Sequence, residues 1–378
     1  MSPMHLQNRP FVGLWSTIHL RIDIEGRWAN HATEHPGEWS QNGHPERTED
    51  IRYFLDRCAA SGIDRIYASL HPYATGHPAY PKPKGLPNAL GIAVDAAHER
   101  RIEVHPYLAV FLLPGSVRPD HPLKAHAEDF VERTRDERPA SYGGGDHGEG
   151  RIYSYGYDEV RRLIIETYAT LARTQNVDGV MLDYIRYPGP PQDATGTTLV
   201  GYAPPIVESF HRETGRDSFA IPNDDPAWIA HRAGYVARLI RELRDALPTR
   251  DGRLMEISAC TGGDIDLDVR SCFRDWRTWV REGIVDTLCP MLYFPPEQVG
   301  RETRMIQDTL SKEAVPARAA RYKLYSALCV KYGILSTPEL LHEGYRQAMA
   351  NGADGVCMYR ADGLENTGLW EEVRLLGT

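Results

Sequence analysis

The chain has 378 residues, which fits one enlarged α/β barrel or two average domains, and one barrel is the simpler interpretation. Lys and Arg total 43 and Asp and Glu total 52, so the formal net charge is −9, and no basic run occurs. This composition argues against nucleic acid and anionic membranes as partners. Residues 1–10 lack an apolar signal region and no run of about 18 apolar residues follows, so we expect a cytoplasmic protein.

The first third of the chain alternates strands with helices. Strands are predicted at 11–20, 65–71 and 102–110, and helices at 48–60 and 88–100. A long polar connection separates the first strand from the first helix. Repetition of a strand, a loop and a helix predicts a parallel sheet.

Residues 113–156 carry no convincing periodicity, and 143–150 are nearly all glycine and polar residues. A segment this long without periodicity is typical of an active-site lid or of disorder, and we favour a lid. A helix is predicted at 158–175, because its apolar side chains recur along one stripe.

The segment Val177–Pro188 is the most informative part of the chain. It is a short apolar, β-prone run that ends in polar and aromatic residues, which predicts a buried parallel strand. Alternation places Met181 and Asp183 on one face, and Asp183 lies near the carboxyl end, where α/β barrels keep their chemistry. Asp183 is therefore the first catalytic candidate. The alternative is a carboxylate that only pairs with Arg186 or caps the next loop.

A second Gly/Pro-rich insertion covers 189–225, and Asp225 with Pro226 predicts the start of a helix that runs to about Leu247. The remaining predicted elements are strands at 254–260, 285–293, 323–330 and 355–360 and helices at 275–280 and 337–351. Eight strands predict a (β/α)8 TIM barrel that forms a single domain over 1–378, with enlarged βα loops after strands 1, 3 and 4. An open doubly wound sheet is the alternative, but no Gly-rich phosphate fingerprint opens the first unit.

The cysteines are expected to be reduced and structural, because none forms a Cys-x-x-Cys pair and four lie inside the last four predicted strands. The six are Cys58, Cys260, Cys272, Cys289, Cys329 and Cys357. No cofactor and no metal site is predicted.

The chain resembles the family-10-like glycosyl hydrolases, a TIM-barrel family first defined by sequence. The resemblance rests on four blocks, namely Val104-His105-Pro106-Tyr107, the segment Val177–Pro188, Ile257-Ser258, and 275–286 leading to Pro290-Met291-Leu292-Tyr293. It implies a barrel and a carbohydrate substrate, with Asp183 at the family's acidic position on strand four. One departure is Met291, where many relatives have a glutamine that would bind sugar hydroxyl groups.

The strand-four block also resembles the Asp-Gly-x-Asp-x-Asp-x-Glu pattern of chitinase-like barrels. Here Met181 replaces the second acid and Ile185 replaces the glutamic acid. Chitinase chemistry through that glutamic acid is thus excluded on this strand.

Glycoside cleavage needs a proton donor and a second carboxylate that attacks the sugar or activates water. Asp183 is one of the pair, and the other must come from another βα loop. Asp264 and Glu297 are the favoured candidates, and Asp362 is a third. Glu256 lies early in strand five, so we expect it low in the barrel and paired within a side-chain layer.

A sugar site also needs aromatic faces for C–H groups and planar donors for hydroxyl groups. The predicted substrate-binding residues are Trp15, His71, His105, Arg186, Tyr187, Tyr293 and Asp362. The aromatic residues would form a platform with Arg186 as donor, and ordinary core or rim packing is the alternative. The two histidines are expected at the mouth, at the ends of strands two and three.

Two other functions stay open. A metal-dependent sugar isomerase or amidohydrolase-type barrel would need three or more converging ligands, and His19, His71, His105 and Asp183 come from four strands. A non-catalytic carbohydrate-binding barrel would use Asp183 only as a hydrogen-bond acceptor. The favoured prediction is a cofactor-free glycoside hydrolase, and the sequence carries no signal for the sugar or the oligomeric state.

Overall fold

A computed structural model describes residues 10–17, 48–70, 72–81, 88–142, 150–250, 252–313 and 322–377. Eight parallel strands of this part close into a barrel in the order β1-β8-β7-β6-β5-β4-β3-β2. The strands are β1 (Phe11–Thr17), β2 (Arg65–Ser69), β3 (Glu103–Ala109), β4 (Gly179–Asp183), β5 (Glu256–Thr261), β6 (Thr287–Leu292), β7 (Lys323–Cys329) and β8 (Gly355–Tyr359). The predicted (β/α)8 TIM barrel is therefore confirmed, and the open sheet is not.

Helices surround the barrel and follow its strands along the chain. In the described residues they are α1 (Thr48–Ala60), α2 (Ala89–His98), α3 (Pro122–Ala125), α4 (Ala127–Phe130), α5 (Asp158–Thr174), α6 (Pro204–Thr214), α7 (Pro226–Ala246), α8 (Ile265–Cys272), α9 (Trp276–Glu282), α10 (Pro296–Glu313), α11 (Pro338–Ala350), α12 (Ala361–Thr367) and α13 (Trp370–Leu375). The predicted start of α7 is confirmed, since the Asp225 side chain accepts hydrogen bonds from the N–H groups of Ala227 and Trp228. None of the helices in these ranges is long and apolar enough to cross a bilayer.

The predicted long insertions after β3 and β4 are present, and they pair with each other. Thr134 of the first forms an antiparallel bridge with Val200 of the second. The buried Glu132 carboxylate accepts a hydrogen bond of 2.9 Å from the Ala203 N–H. The described part of the first insertion is thus ordered by its contacts, and its role as a lid remains a prediction. Residues 18–47, the predicted enlarged loop after β1, lie outside the described residues.

Strand register determines the depth of each side chain inside the barrel. Ala109 of β3 pairs with Asp183 of β4, so both lie at the carboxyl end. Tyr67 of β2 pairs with His105 of β3, four positions before Ala109 and hence two layers lower. Side chains at alternate positions point inward, so counting by two along each strand moves from the floor to the mouth.

The floor of the barrel holds a charged group, the floor cluster, of Arg65, Glu103, Glu256 and Thr287. Arg65 donates hydrogen bonds to Glu256 at 2.6 and 2.9 Å and to Glu103 at 2.6 and 2.8 Å, and the Thr287 hydroxyl donates to Glu256 at 2.6 Å. Burial opposes ionisation of Glu256, but the charges of His105 when protonated and of Arg65 outweigh it and lower its pKa to about 2. The predicted structural pairing of Glu256 is therefore confirmed.

The six cysteines are buried and free of disulfides, as predicted. Cys260, Cys289 and Cys357 pack with Trp15 and Tyr67 inside the barrel. They serve there as small apolar side chains that fill the layers between floor and mouth.

Candidate active site

Asp183 is the last residue of β4 and lies at the mouth of the barrel, partly exposed. The next residue, Tyr184, has a φ of 49°, so the chain turns sharply out of the strand. This turn brings the Tyr184 N–H to 2.9 Å from Asp183 Oδ1, where it donates a hydrogen bond. The location predicted for Asp183 is thus the one observed.

The neighbours of Asp183 lie on or just after three other strands. The Cys260 thiol of β5 lies beside the Asp183 carboxylate, and burial followed by the charge of this carboxylate raises the thiol pKa well above its usual value. Burial and then the charge of Asp183 raise the pKa of Tyr107 on β3 to about 12. Burial is also the main cause of the raised pKa of Tyr293, to which Asp183 contributes. Asp183 therefore lies among neutral hydroxyl and thiol groups.

Tyr107 connects the two sides of the mouth. Besides burial, the negative charge of Asp183 on β4 raises the pKa of its hydroxyl, and the positive charge of Arg360 lowers it. Arg360 follows β8, which lies opposite β4 in the barrel. Asp183, Tyr107, Cys260, Tyr293 and Arg360 are called the mouth cluster below.

Asp362 lies beyond Arg360 at the start of α12 and is held by two cations. Its Oδ1 accepts from Arg360 Nε at 2.9 Å, and its Oδ2 lies 2.8 Å from Lys331 Nζ. Its side chain is 14% exposed. A carboxylate fixed between two cations suits the binding of hydroxyl groups better than the donation of a proton.

The two predicted partners of Asp183 lie at helix starts on the rim. Asp264 is the exposed N-cap of α8, and its Oδ1 accepts from the Leu267 N–H at 3.0 Å. Glu297 is exposed in the first turn of α10 and makes no hydrogen bond or ion pair with any other residue that the structure describes. It follows Tyr293 of the mouth cluster by four positions. Of the two, Glu297 has the carboxylate that is free to meet a ligand.

A buried ion pair supports the loop after β5. Arg274 donates to both oxygens of Asp268, at 2.6 and 2.9 Å, and Asp268 accepts from the Gly262 N–H at 2.7 Å. A Cβ at Gly262 would lie 2.4 Å from Asp268 Oδ1, so glycine is needed for this close approach. The pair fixes the backbone just after Cys260 and so helps to position a neighbour of Asp183.

Aromatic rings flank the mouth on two sides. On one side the Tyr293 and Tyr359 ring centroids are 4.7 Å apart. On the other, the Arg186 guanidinium lies 5.1 Å from the Tyr184 centroid and 6.0 Å from that of Phe111. Of the predicted binding residues, Tyr293 and Arg186 therefore lie at the mouth.

Two predicted binding residues, His105 and Tyr187, lie away from the mouth, and that predicted location is wrong for both. Trp15 is 2% exposed, and its ring lies 5.5 Å from that of Tyr67 inside the barrel and 5.9 Å from that of Tyr359, so its part in binding stays a prediction. His105 is 1% exposed, and burial lowers its pKa to about 3. Tyr187 is 2% exposed and packs in the core against Phe273, because the chain has already turned out of β4. His71 lies outside the described residues.

Sequence reasoning missed Tyr107, Cys260 and Arg360 as site residues. Alternation along the strands could have identified two of them. Tyr107 is the next inward position after His105, and Cys260 lies two inward positions after Glu256. Arg360 required knowledge that β8 ends at Tyr359.

No three His, Cys, Asp or Glu residues in the described ranges come together as a metal site. Of the four predicted metal-ligand candidates, His19 and His71 fall outside those ranges. His105 lies two layers below the level of Asp183. The described geometry gives no support to the metal-dependent alternative.

Comparisons with known proteins bear on the family and the fold of the chain. A family model described as glycosyl hydrolase-like 10 matches residues 80–336. No curated protein matches significantly.

Several solved structures share the fold at low sequence identity. The PgaB (BpsB) glycoside hydrolase domain from Bordetella bronchiseptica is 14% identical with a TM-score of 0.66, and the match covers 97% of this chain and 98% of that one. The catalytic domain of beta-amylase from Paenibacillus polymyxa is 10% identical with a TM-score of 0.61, over 97% and 98%. TtGalA, an alpha-galactosidase from Thermus thermophilus in complex with stachyose, is 14% identical with a TM-score of 0.51, over 97% and 65%. These likenesses show the barrel fold.

Proposed function

We propose, since the chain belongs to the glycosyl hydrolase-like 10 family, that it is a glycoside hydrolase whose essential carboxylate is Asp183. The observation that carries the proposal is the position of Asp183 at the carboxyl end of β4, where the Tyr184 N–H orients its carboxylate beside the Cys260 thiol. A carboxylate held by donors in a barrel mouth is preorganised to act on a bound substrate. The stachyose complex of the similarly folded TtGalA supports a carbohydrate as the substrate class.

Asp183 acts in this proposal as the anionic member of the catalytic pair. Its carboxylate, which accepts a hydrogen bond from the Tyr184 N–H, attacks the anomeric carbon or activates a water molecule. Glu297 in the first turn of α10 is the proton donor to the leaving oxygen, because its carboxylate makes no ion pair with another described residue. Asp362, between Lys331 and Arg360, binds sugar hydroxyl groups.

The surroundings of Asp183 fit an uncharged sugar. Tyr107 and Tyr293 offer neutral hydroxyl groups, and their raised pKa values keep them protonated at neutral pH. The cation Arg360 is balanced by Asp362 at 2.9 Å. The mouth therefore presents hydrogen-bonding groups and aromatic faces, which are the groups that hydroxylated rings bind.

The test is turnover of a panel of aryl glycosides and oligosaccharides by the wild type and by Asp183→Asn, with and without EDTA. Asp266→Asn is the matched control, because Asp266 is an exposed aspartate with a side chain that is 78% exposed. We expect Asp183→Asn to abolish turnover and Asp266→Asn to retain it.

Three results would contradict the proposal. Full activity of Asp183→Asn would remove Asp183 from the mechanism, and loss of activity with EDTA would favour a metal-dependent enzyme. Binding of sugars with no turnover of any panel member would favour a carbohydrate-binding barrel.

A further inference from the structure

We infer that Tyr332, with Lys331 and Tyr359, forms a second sugar-binding subsite beside the mouth, so that the substrate is an oligosaccharide rather than a glycoside of one sugar. The inference rests on the proposed function, because it extends the site around Asp183. Its evidence is independent, since these residues take no part in the proposed chemistry.

The backbone conformation of Tyr332 is uncommon for an aromatic residue. Tyr332 lies in the loop after β7, has a φ of 60° and is 66% exposed. A tyrosine in the left-handed region is strained, and glycine or asparagine would fit the same turn more easily. Exposure means that little burial of the ring offsets this strain. A strained and exposed aromatic residue at the edge of a site indicates a function for the ring.

The ring extends the aromatic side of the mouth outward. The Tyr332 and Tyr359 centroids are 6.4 Å apart at an interplanar angle of 33°. Tyr359 in turn lies 4.7 Å from Tyr293, which belongs to the mouth cluster. Three rings therefore lead from the neighbourhood of Asp183 to solvent.

Polar groups accompany this aromatic surface. Lys331 Nζ lies 5.3 Å from the Tyr332 centroid and 2.8 Å from Asp362 Oδ2. The Asp362 carboxylate is shared between Lys331 and Arg360, and the ammonium and the carboxylate supply donors and an acceptor for hydroxyl groups. An aromatic face with such polar groups beside it matches a sugar ring, which has C–H faces and hydroxyl edges.

The position of Tyr332 relative to the mouth cluster determines how many sugar units the substrate has. Tyr332 is separated from the mouth cluster by Tyr359, so a sugar on Tyr332 is a different unit from the sugar that contacts Asp183. A substrate that fills both positions has at least two linked units. Binding at Tyr332 then contributes only with longer substrates.

The test compares Tyr332→Asn, which removes the ring and tolerates the left-handed turn, with Tyr332→Phe, which keeps the ring. Tyr53→Ala is the matched control, because Tyr53 is a 39% exposed tyrosine on α1. Each variant is assayed with an aryl monoglycoside that the wild type cleaves and with oligosaccharides of the same sugar of two to five units. We expect Tyr332→Asn to lower kcat/KM about 10-fold or more on the longer oligosaccharides and less than about twofold on the monoglycoside. Tyr332→Phe and Tyr53→Ala should remain within about threefold of the wild type on all of them.

Binding is measured in parallel with the Asp183→Asn protein, with and without Tyr332→Asn, by calorimetry with cello-, xylo-, malto- and chitopentaose. Loss of pentasaccharide binding on removal of the ring supports the subsite even if no turnover is found, in which case only the proposed function fails. Turnover that is equally affected on short and long substrates, or unaffected on both, overturns the subsite and leaves the proposed function standing. If Tyr332→Asn is misfolded by circular dichroism, Tyr332→Gly replaces it, because glycine adopts this backbone conformation without strain.

Discussion

The floor and the mouth of the barrel contain the same kinds of side chain, but these are used differently. At the floor, the Glu256 carboxylate is fixed by the Arg65 guanidinium and by the Thr287 hydroxyl. At the mouth, the Asp183 carboxylate accepts from the Tyr184 N–H and lies beside the Cys260 thiol. The first is neutralised within the fold and the second is presented to the opening. Depth in the barrel therefore separates a structural acid from a candidate catalytic one.

The largest expected effect comes from Asp183→Asn. The amide cannot act as nucleophile or base, so kcat should fall by about 10³-fold or more. The melting temperature should change by less than about 3 °C, roughly 1 kcal/mol for a large domain, because Asp183 is only partly buried. Rate assays and thermal unfolding of the same preparation check both. If Asp183→Asn lost stability but kept its specific activity, Asp183 would be a structural acid and not a catalytic one.

Glu297→Gln should have the next largest effect. Removal of a general acid lowers kcat by about 10²-fold or more, with a smaller loss for aryl glycosides whose leaving groups need little protonation. Proton NMR of the first product then shows retention or inversion. The matched control is Glu339→Gln, because Glu339 also follows a proline in the first turn of a helix, α11. Equal effects of the two changes would remove Glu297 from the mechanism.

Glu256→Gln should act on stability instead of catalysis. It leaves the Arg65 guanidinium, with a side chain that is 4% exposed, paired only with Glu103. The free energy of unfolding should fall by about 2–4 kcal/mol, while kcat of the folded fraction changes less than about threefold. Urea denaturation measures the first quantity. A normal unfolding midpoint with lost activity would place Glu256 in the reaction.

The lowered pKa of Glu256 predicts that the free energy of unfolding depends on pH. The pKa of Glu256 is lowered from 4.5 to about 2 in the fold. Its stabilising contribution is therefore complete above about pH 4.5 and is lost as the pH falls to about 2. The difference in unfolding free energy between wild type and Glu256→Gln should shrink over this interval. A difference that is constant between these pH values would contradict the assigned ion pair.

The smallest effect is expected for the thiol beside Asp183. Cys260→Ala removes a hydrogen-bond donor from the carboxylate and should lower kcat by about 3- to 10-fold. Cys260→Ser restores a donor of similar size and should recover most of that loss. Steady-state kinetics of the two variants measure the difference. If serine is no better than alanine, the hydrogen bond does not position Asp183.

The strands and the depth of Asp183 and Glu256 could be predicted because both follow from local patterns. Alternation along Val177–Pro188 predicts which side chains face inward, and strand ends bounded by glycine or proline give approximate depth. Asp225 predicts the start of α7 from its own position in the sequence. In each case the residues that determine the feature are neighbours in the chain.

The remaining features depend on residues that are distant in sequence. The end of β3 was predicted to within one residue, but His105 lies four positions before it, and its depth follows only from pairing with Tyr67 of β2. Tyr107 and Arg360 become neighbours only when the barrel closes between β1 and β8. No helix was predicted over α8, because Asp266 and Asp268 weaken its helical pattern.

The pairing of the two insertions has a consequence for engineering. The Glu132 carboxylate binds the Ala203 N–H, and the buried Arg232 of α7 donates to the carbonyl groups of Thr198, Val200 and Asn223. Transplanting either insertion alone into another barrel would leave these groups without their partners. The insertions after β3 and β4 form one exchangeable module, and a chimera that changes the substrate preference has to carry both together with the start of α7.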